Sequence, residues 1–261
     1  MSKPQPLENS RALREQINTF FDQTTHVNAY NKAEYERLMQ SASELQRQNV
    51  VKGCLLRSLL FSATGQLDEA ERMLRNADAN HGKNEARFDW VAHYVNHGFA
   101  TKALGFLDEM FANRLDHTFA ELAQGAVAAG AFAKIVKLVD ASYKNSEVLI
   151  MTNVLELAKR AASALEQLQL SDEQLASMLD VAGEKLRANE LLWQGHSPDV
   201  HVLLSEDGGP TLMFDYRVFI SPTDASTMCW NLAEELVSRN LDFSGVHIGF
   251  VGTKISERLA A

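Results

Sequence analysis

Apolar residues recur every three to four positions along most of the chain, which is the spacing of one face of an α-helix. Residues 9–24 follow this pattern, and Ser10 stands where a helix N-cap is expected. Residues 32–48 follow it again, with Leu38, Ala42 and Leu45 on one face. The pattern therefore predicts two amphipathic helices before residue 50.

A ten-residue pattern then returns three times at nearly equal intervals. It reads GQLDEAERML at 65–74, GFATKALGFL at 98–107 and GAFAKIVKLV at 130–139, so its glycines are 33 and 32 residues apart. An apolar segment of helical spacing lies on each side of each glycine. Glycine ends helices well because it adopts the left-handed conformation without a Cβ clash. The pattern predicts three helical hairpins, each turning at a glycine.

The repeated positions resemble the tetratricopeptide repeat over roughly residues 50–145. A small residue stands five positions after the first two glycines (Ala70, Ala103), and a large apolar residue nine positions after all three (Leu74, Leu107, Val139). The usual period of that family is about 34 residues, whereas the closing proline of its pattern is missing here. The resemblance implies a right-handed α-solenoid in which the first helix of each hairpin lines a concave groove. The residues that it places at this groove are Lys52, Leu55, Leu59, Ser62, Phe88, Ala92, Asn96 and Gln124.

Two further helices are predicted over 148–167 and 171–189, the second with a capping box formed by Ser171 and Gln174. We expect this pair to be an atypical last unit, which would cover the end of the array. Gly183 within the second helix is expected to weaken it only slightly.

The pattern of apolar and polar residues changes after residue 189 and becomes typical of β-strands. Strand-like runs VHVLLS and TLMFDYRVFI are joined by EDGGP. Leu212, Phe214, Tyr216 and Val218 alternate with Met213, Asp215, Arg217 and Phe219, which predicts one buried face and one mixed face. A helix that begins at Ser221-Pro222 and a last strand, VHIGFVG, follow. We therefore predict a mainly α protein with two domains, a helical-repeat domain over 1–189 and a small α+β module, strand–strand–helix–strand, over 190–261. The module is expected to dock on the helices or to pair a sheet edge with another chain.

Composition and charge narrow the function. The 261 residues carry a formal net charge of −9, from 25 basic and 34 acidic side chains, and no basic cluster that would bind nucleic-acid phosphates. No apolar run is long enough to span a membrane, and the first residues lack the core of a secretory signal. These features, together with only two distant cysteines, Cys54 and Cys229, predict a cytoplasmic protein with reduced thiols and without direct nucleic-acid or membrane binding.

Candidate chemistry is sparse. Nucleotide-binding, hydrolase and zinc-protease motifs are missing from the sequence, and neither a cofactor nor a catalytic residue is assigned. His93 and His97 are four residues apart and so lie on one face of a helix. Their position at its C-terminus favours an interaction with the helix dipole, and a zinc site is the alternative. Cys229 lies on an apolar stripe near a predicted helix start, where a structural thiol is favoured over a nucleophile.

Three functions remain compatible with the sequence. The favoured one is a non-enzymatic adaptor that binds a protein or peptide on its repeat surface. Only Lys52 and Asn96 match the clamps with which relatives of the repeat hold a peptide carboxylate, so an apolar or helical ligand is expected. The C-terminal module would supply a second contact or a homodimer through its sheet edge. The alternatives are an acidic inhibitor or antitoxin-like regulator of a nucleic-acid-handling enzyme, and an enzyme with a site at the domain junction around His201, Asp215, Arg217 and His247.

Overall fold

The computed structural model describes residues 6–113, 119–142, 152–192, 198–204 and 209–253. These parts of the chain are mainly helical, with one small sheet. The helices are α1 (Pro6–Gln23), α2 (Lys32–Gln48), α3 (Val50–Ala63), α4 (Leu67–Ala77), α5 (Lys83–Asn96), α6 (Ala100–Asn113), α7 (Phe119–Ala128), α8 (Phe132–Ser142), α9 (Thr152–Gln167), α10 (Asp172–Ala188) and α11 (Pro222–Ser238). The strands are β1 (Asp199–Leu204), β2 (Pro210–Val218) and β3 (Val246–Gly252), and one π-helical turn, Asp78–Gly82, joins α4 to α5.

Three glycine turns end α3, α5 and α7, where the repeated pattern places them. Gly65, Gly98 and Gly130 have φ angles of +69°, +63° and +74°, in the left-handed region. After each glycine, the next N–H donates to the carbonyl five residues earlier, as Phe99 does to Tyr94 at 2.8 Å. This is the Schellman ending of a helix. The pairs α3–α4, α5–α6 and α7–α8 are therefore helical hairpins with the same kind of turn, as predicted.

Helix α10 crosses the ends of these hairpins. Its Leu175 side chain lies against Gly130, where an added Cβ would be 3.0 Å away, and Gly183 lies against Gly98. Beyond the helix, the carbonyl of Glu190 accepts the N–H of Val27 at 3.1 Å, and the Val27 side chain covers Gly65. The chain from α10 to Glu190, together with Val27, thus covers the three turns in the order Gly130, Gly98, Gly65.

Two aspartates of α10 cap the second helices of the hairpins. The carboxylate of Asp172 accepts the N–H groups of Ala133 and Lys134, at 3.1 and 3.0 Å, at the start of α8. Two helical turns later, Asp180 accepts the N–H of Thr101 at 3.1 Å, at the start of α6. Carboxylates satisfy unpaired N–H groups and favour the positive end of a helix dipole. The caps therefore fix α10 to two successive hairpins.

Replacing Asp172 with alanine is expected to lower the free energy of unfolding by about 2 kcal/mol, because it leaves two N–H groups without their acceptor in a buried place. Urea denaturation measures this change. Asp180→Ala is the matched control, since it removes one such bond from a half-buried carboxylate, and about half the effect is expected. Equal stability of Asp172→Ala and wild type would contradict the capping role.

The N-terminal helices bear a second hydrophobic cluster. Ile17, Phe20 and Phe21 of α1 pack with Leu38 of α2 and Leu60 of α3. The described part of α1 spans Pro6–Gln23, so Ser10 lies inside the helix and the prediction that it is the N-cap was wrong.

The sheet has the order β1-β2-β3, with β1 antiparallel and β3 parallel to β2. Helix α11 connects the two parallel strands. Alternation along the strands produces one buried face, formed by Val200, Val202, Leu212, Phe214, Tyr216, Val218, Val246 and Phe250. The predicted alternation in the second strand is confirmed.

The buried face of the sheet packs on the helices. Phe214 contacts Phe132 of α8, with ring centroids 6.0 Å apart, and α9 lies against β1 and β2. The same hydrophobic core contains residues from the hairpins, from α10 and from the sheet. The expected docking of the module on the helices is therefore observed. Among the described residues, no helix has the length and apolar character needed to cross a membrane.

Candidate interaction surface

Large apolar side chains are exposed mainly in the C-terminal module. Within the described ranges, Leu203, Leu204, Trp230, Val237 and Val251 are exposed there, whereas only Val50 is exposed in the helical part. Water contact with large apolar side chains is unfavourable. Where such side chains adjoin, as on one helix face, they mark a surface that gains free energy when another molecule covers it.

Helix α11 presents two different faces. It starts at Ser221, whose Oγ accepts the N–H of Asp224 at 3.1 Å, and at Pro222 in the first turn. One face is buried against the core and is formed by Ala225, Met228, Leu232 and Leu236. The other face is exposed and carries Ser226, Trp230, Ala233 and Val237. We call these four residues the α11 stripe.

Trp230 dominates the α11 stripe. Its side chain is 69 % exposed, and its indole N–H donates to Glu234 Oε1 at 2.8 Å. The polar group of the indole is thus satisfied, while its rings remain in contact with water. Beside it lies a shallow groove of about 550 Å³, lined by Ser226, Thr227, Cys229, Trp230 and Ala233. The exposed indole of Trp230 thus forms one wall of a groove whose other lining residues have small side chains.

Cys229 lies in the middle of α11 rather than at its start. Its Sγ accepts the N–H of Phe250 at 3.1 Å and is half-buried. This contact covers part of the outer edge of β3. Cys54 is buried, and burial raises the pKa of its thiol. Neither of these two cysteines forms a disulfide in the structure.

The opposite edge of the sheet is also partly covered. Arg160 of α9 donates to the carbonyl of Val202 in β1 at 2.7 Å. Occupied edge groups resist pairing with another strand. One backbone position on β1 and one on β3 are occupied in this way by side chains of neighbouring helices.

The four residues of the postulated enzyme site lie on the outer face of the sheet. His201 and His247 stand on the two outer strands, with Met213 of β2 between them. Arg217 pairs with Asp199 at 2.6 Å. The helices pack on the other face, so the prediction that these residues line the junction of the two domains was wrong. The period-2 alternation of the strands places them away from it.

A buried polar cluster connects α3 and α5. Ser62 Oγ is 2.5 Å from His93 Nδ1 and 3.3 Å from His97 Nε2, and the two imidazole centroids are 5.1 Å apart. All three side chains are buried. We call Ser62, His93 and His97 the histidine cluster. Because the serine has one proton to donate, it serves one ring as donor and the other as acceptor.

Both imidazoles are neutral at neutral pH. Burial lowers the pKa of His93 to about 4, opposed by the charge of Glu71 and assisted by that of Lys102. Burial also lowers the pKa of His97, with the charges of His93 and Arg187 acting in the same direction. His93 Nε2 has no hydrogen-bond partner within the described part of the chain. Burial denies a substrate access to the serine, so the cluster supports the packing of α3 on α5.

The histidine cluster changes the interpretation of the HYVNH motif. The side chains point at Ser62 rather than at the end of their own helix, so the predicted capping role was wrong. Arg187 of α10 instead binds that end, donating to the carbonyls of His97 and Gly98. Within the described ranges, no three His, Cys, Asp or Glu side chains are grouped as metal ligands.

The residues assigned to the repeat groove fall into two classes. Leu55 and Ser62 are buried, and Ser62 belongs to the histidine cluster. The remaining six are half-buried or exposed: Lys52, Leu59, Phe88, Ala92, Asn96 and Gln124. Arg14 of α1 forms an ion pair with Asp89 of α5 at 2.6 Å, so the N-terminal helix reaches this part of the array. Leu55 and Ser62 are therefore not accessible to a partner.

Trp230, Val237 and Val251 were not among the site residues predicted from the sequence. A signal was present, because residues 226, 230, 233 and 237 follow the 4-3-4 spacing of a helix stripe. The buried stripe, which is more strongly apolar, masked this second one.

Comparisons with protein-family models, with curated proteins and with solved structures gave no match.

Proposed function

We propose that this protein is a non-enzymatic protein-interaction protein whose main contact surface is the exposed face of α11. The α11 stripe would bind an apolar surface of another protein. The helical hairpins, a degenerate tetratricopeptide-like solenoid in this proposal, would act as the scaffold that holds the C-terminal module.

The exposure of Trp230 is the observation that carries the proposal. Covering the exposed part of one such side chain is worth about 3 kcal/mol, and tryptophan is enriched among the residues that dominate binding energy. Val237, about two helical turns further along the same stripe, is 58 % exposed. Two large apolar side chains on one rigid helix form a preorganised contact, which reduces the entropy lost on binding.

The repeat surface is proposed as a second contact. The accessible residues there are half-buried or polar, which supports a weaker interaction than the one at Trp230. Charge supports the choice of partner as well, since a net charge of −9 disfavours acidic partners and nucleic acid.

Replacing Trp230 with glutamate is expected to abolish the capture of partner proteins, because the variant puts a charge at the centre of an apolar contact. The full-length protein is immobilised, and captured proteins are quantified by mass spectrometry. The fold should be unaffected, since the side chain is exposed in the free protein; thermal unfolding checks this.

Leu203→Glu is the matched control, because Leu203 is 51 % exposed on β1, at the other end of the module. Its captured proteins should equal those of wild type. Equal capture by Trp230→Glu and wild type would contradict the proposed surface.

A further inference from the structure

We propose that the partner of the α11 stripe is a second copy of this chain, bound with the two α11 helices antiparallel. The inference rests on the proposed function, because it assigns a partner to the same surface. The antiparallel arrangement is inferred from two features of the stripe, which are the intervals between its residues and the alternation of small and large side chains.

The spacing of the stripe reads the same in both directions. Ser226, Trp230, Ala233 and Val237 are separated by four, three and four residues, and all four are exposed. A twofold axis between residues 231 and 232 therefore places 226 opposite 237 and 230 opposite 233 of the second copy. A twofold interface requires this reciprocity, in which residue i contacts residue j and residue j contacts residue i.

Small and large side chains exchange places when the stripe is read from its C-terminal end. Along the stripe they run small, large, small, large, so each large side chain meets a small one in the antiparallel pair. Trp230 would lie over Ala233 of the second copy, in the groove that Ser226, Thr227, Cys229, Ala233 and the second copy's own Trp230 line. Val237 would lie over Ser226. Packing of large against small residues lets side chains interdigitate between two helices.

The four residues of the α11 stripe are uncharged. Glu234, whose carboxylate accepts the indole N–H of Trp230, lies beside the stripe and is exposed. Helix α11 has 17 residues and is thus about 25 Å long. One helix pair buries less than a standard interface of about 800 Å² per partner. We expect a dimer that forms reversibly with rising concentration.

Sedimentation velocity of the full chain, from about 1 to 500 µM, tests the proposal at the affinities typical of small interfaces. Wild type should shift from monomer to dimer across this range. Trp230→Ala should weaken the dimer by about 30-fold or more, the loss expected for a central tryptophan. Leu203→Ala, an exposed residue outside the stripe, should dimerise like wild type.

An exchange of sizes tests the register. Ala233→Trp alone should not dimerise, because each tryptophan would meet another tryptophan. An equimolar mixture of Ala233→Trp and Trp230→Ala should form a heterodimer, because every tryptophan then faces an alanine. A distinguishable tag on one chain identifies the mixed species. A mixture that stays monomeric while wild type dimerises overturns the antiparallel register.

Two other results overturn the inference. If the wild-type protein remains monomeric at the highest concentration, a second copy does not bind the stripe. Wild type that dimerises equally with and without Trp230 uses another surface. If monomeric wild type captures foreign proteins that Trp230→Glu loses, the proposed function stands and only the second-copy inference fails.

Discussion

Replacing Gly183 with alanine is expected to lower the free energy of unfolding by about 3 kcal/mol, the upper part of the usual range for overpacking. A Cβ on Gly183 would lie 1.9 Å from the carbonyl oxygen of Gly98. Both atoms belong to rigid elements, α10 and the turn between α5 and α6, so the clash can be relieved only by moving the helix. Its movement would also weaken the caps that Asp172 and Asp180 provide. Urea denaturation of the full chain measures the change.

Gly105→Ala is the matched control, because Gly105 is also a helical glycine and nothing lies within 4 Å of an added Cβ. Alanine is the better helix former there, so an increase of about 1 kcal/mol is expected. The two variants thus make the same chemical change with opposite signs. A stabilising effect at both positions would show that α10 does not approach Gly98 this closely.

Acidification from pH 7.5 to pH 5 is expected to destabilise the protein, with a contribution of about 2 kcal/mol from His93 alone. The pKa of His93 is lowered from 6.5 to about 4 in the folded state, so the unfolded chain binds a proton first. Stability is complete above pH 6.5 and is lost as the pH falls from there through about 4. The lowered pKa of His97 adds to the loss in the same window. Urea denaturation at the two pH values measures it.

His93→Gln removes one of these protons and should make stability less dependent on pH by about 2 kcal/mol over the same interval. Glutamine keeps a group that can bond to Ser62, so the variant can fold. His247→Gln is the control, since solvent reaches His247 in β3 before and after unfolding. An unchanged pH dependence in His93→Gln would mean that His93 is not held neutral by burial.

Local signals predicted most of the elements. Gly65, Gly98 and Gly130 specify the hairpin turns through their backbone freedom, and the capping box of Ser171 and Gln174 marks the start of α10, where both of its hydrogen bonds form. The second helix was predicted with its observed bounds, Lys32–Gln48. Such signals act over a few residues, so they can be read from a single sequence.

The path of α10 could not be predicted in this way. Gly183 and Gly98 are 85 residues apart in the sequence, and neither has a neighbour that points to the other. From the sequence, Gly183 was therefore predicted only to weaken its helix slightly. Its role is set by the close approach of two backbones, which is a property of the assembled fold.

The functional residues show the same limit. His93 and His97 share a helix face, and the sequence predicted that much, but Ser62 lies about 30 residues away and decides that the imidazoles point inward. Trp230 was visible as an apolar residue, yet its exposure depends on which stripe of α11 the sheet and α10 cover.

The crossing of the hairpin turns by α10 also bears on how the chain folds. Arrays of helical hairpins usually gain stability from neighbouring units and can fold from any point along the array. Here α10 covers the turns at Gly98 and Gly130, and Val27, which covers the turn at Gly65, donates its N–H to Glu190 just beyond α10. The N–H of Leu192 also donates to the carbonyl of Thr25 at 3.2 Å. During synthesis the first hairpin is complete long before α10 leaves the ribosome. The early helices are therefore expected to reach their final stability only after α10 has been synthesised. The assembled molecule should unfold as one cooperative unit.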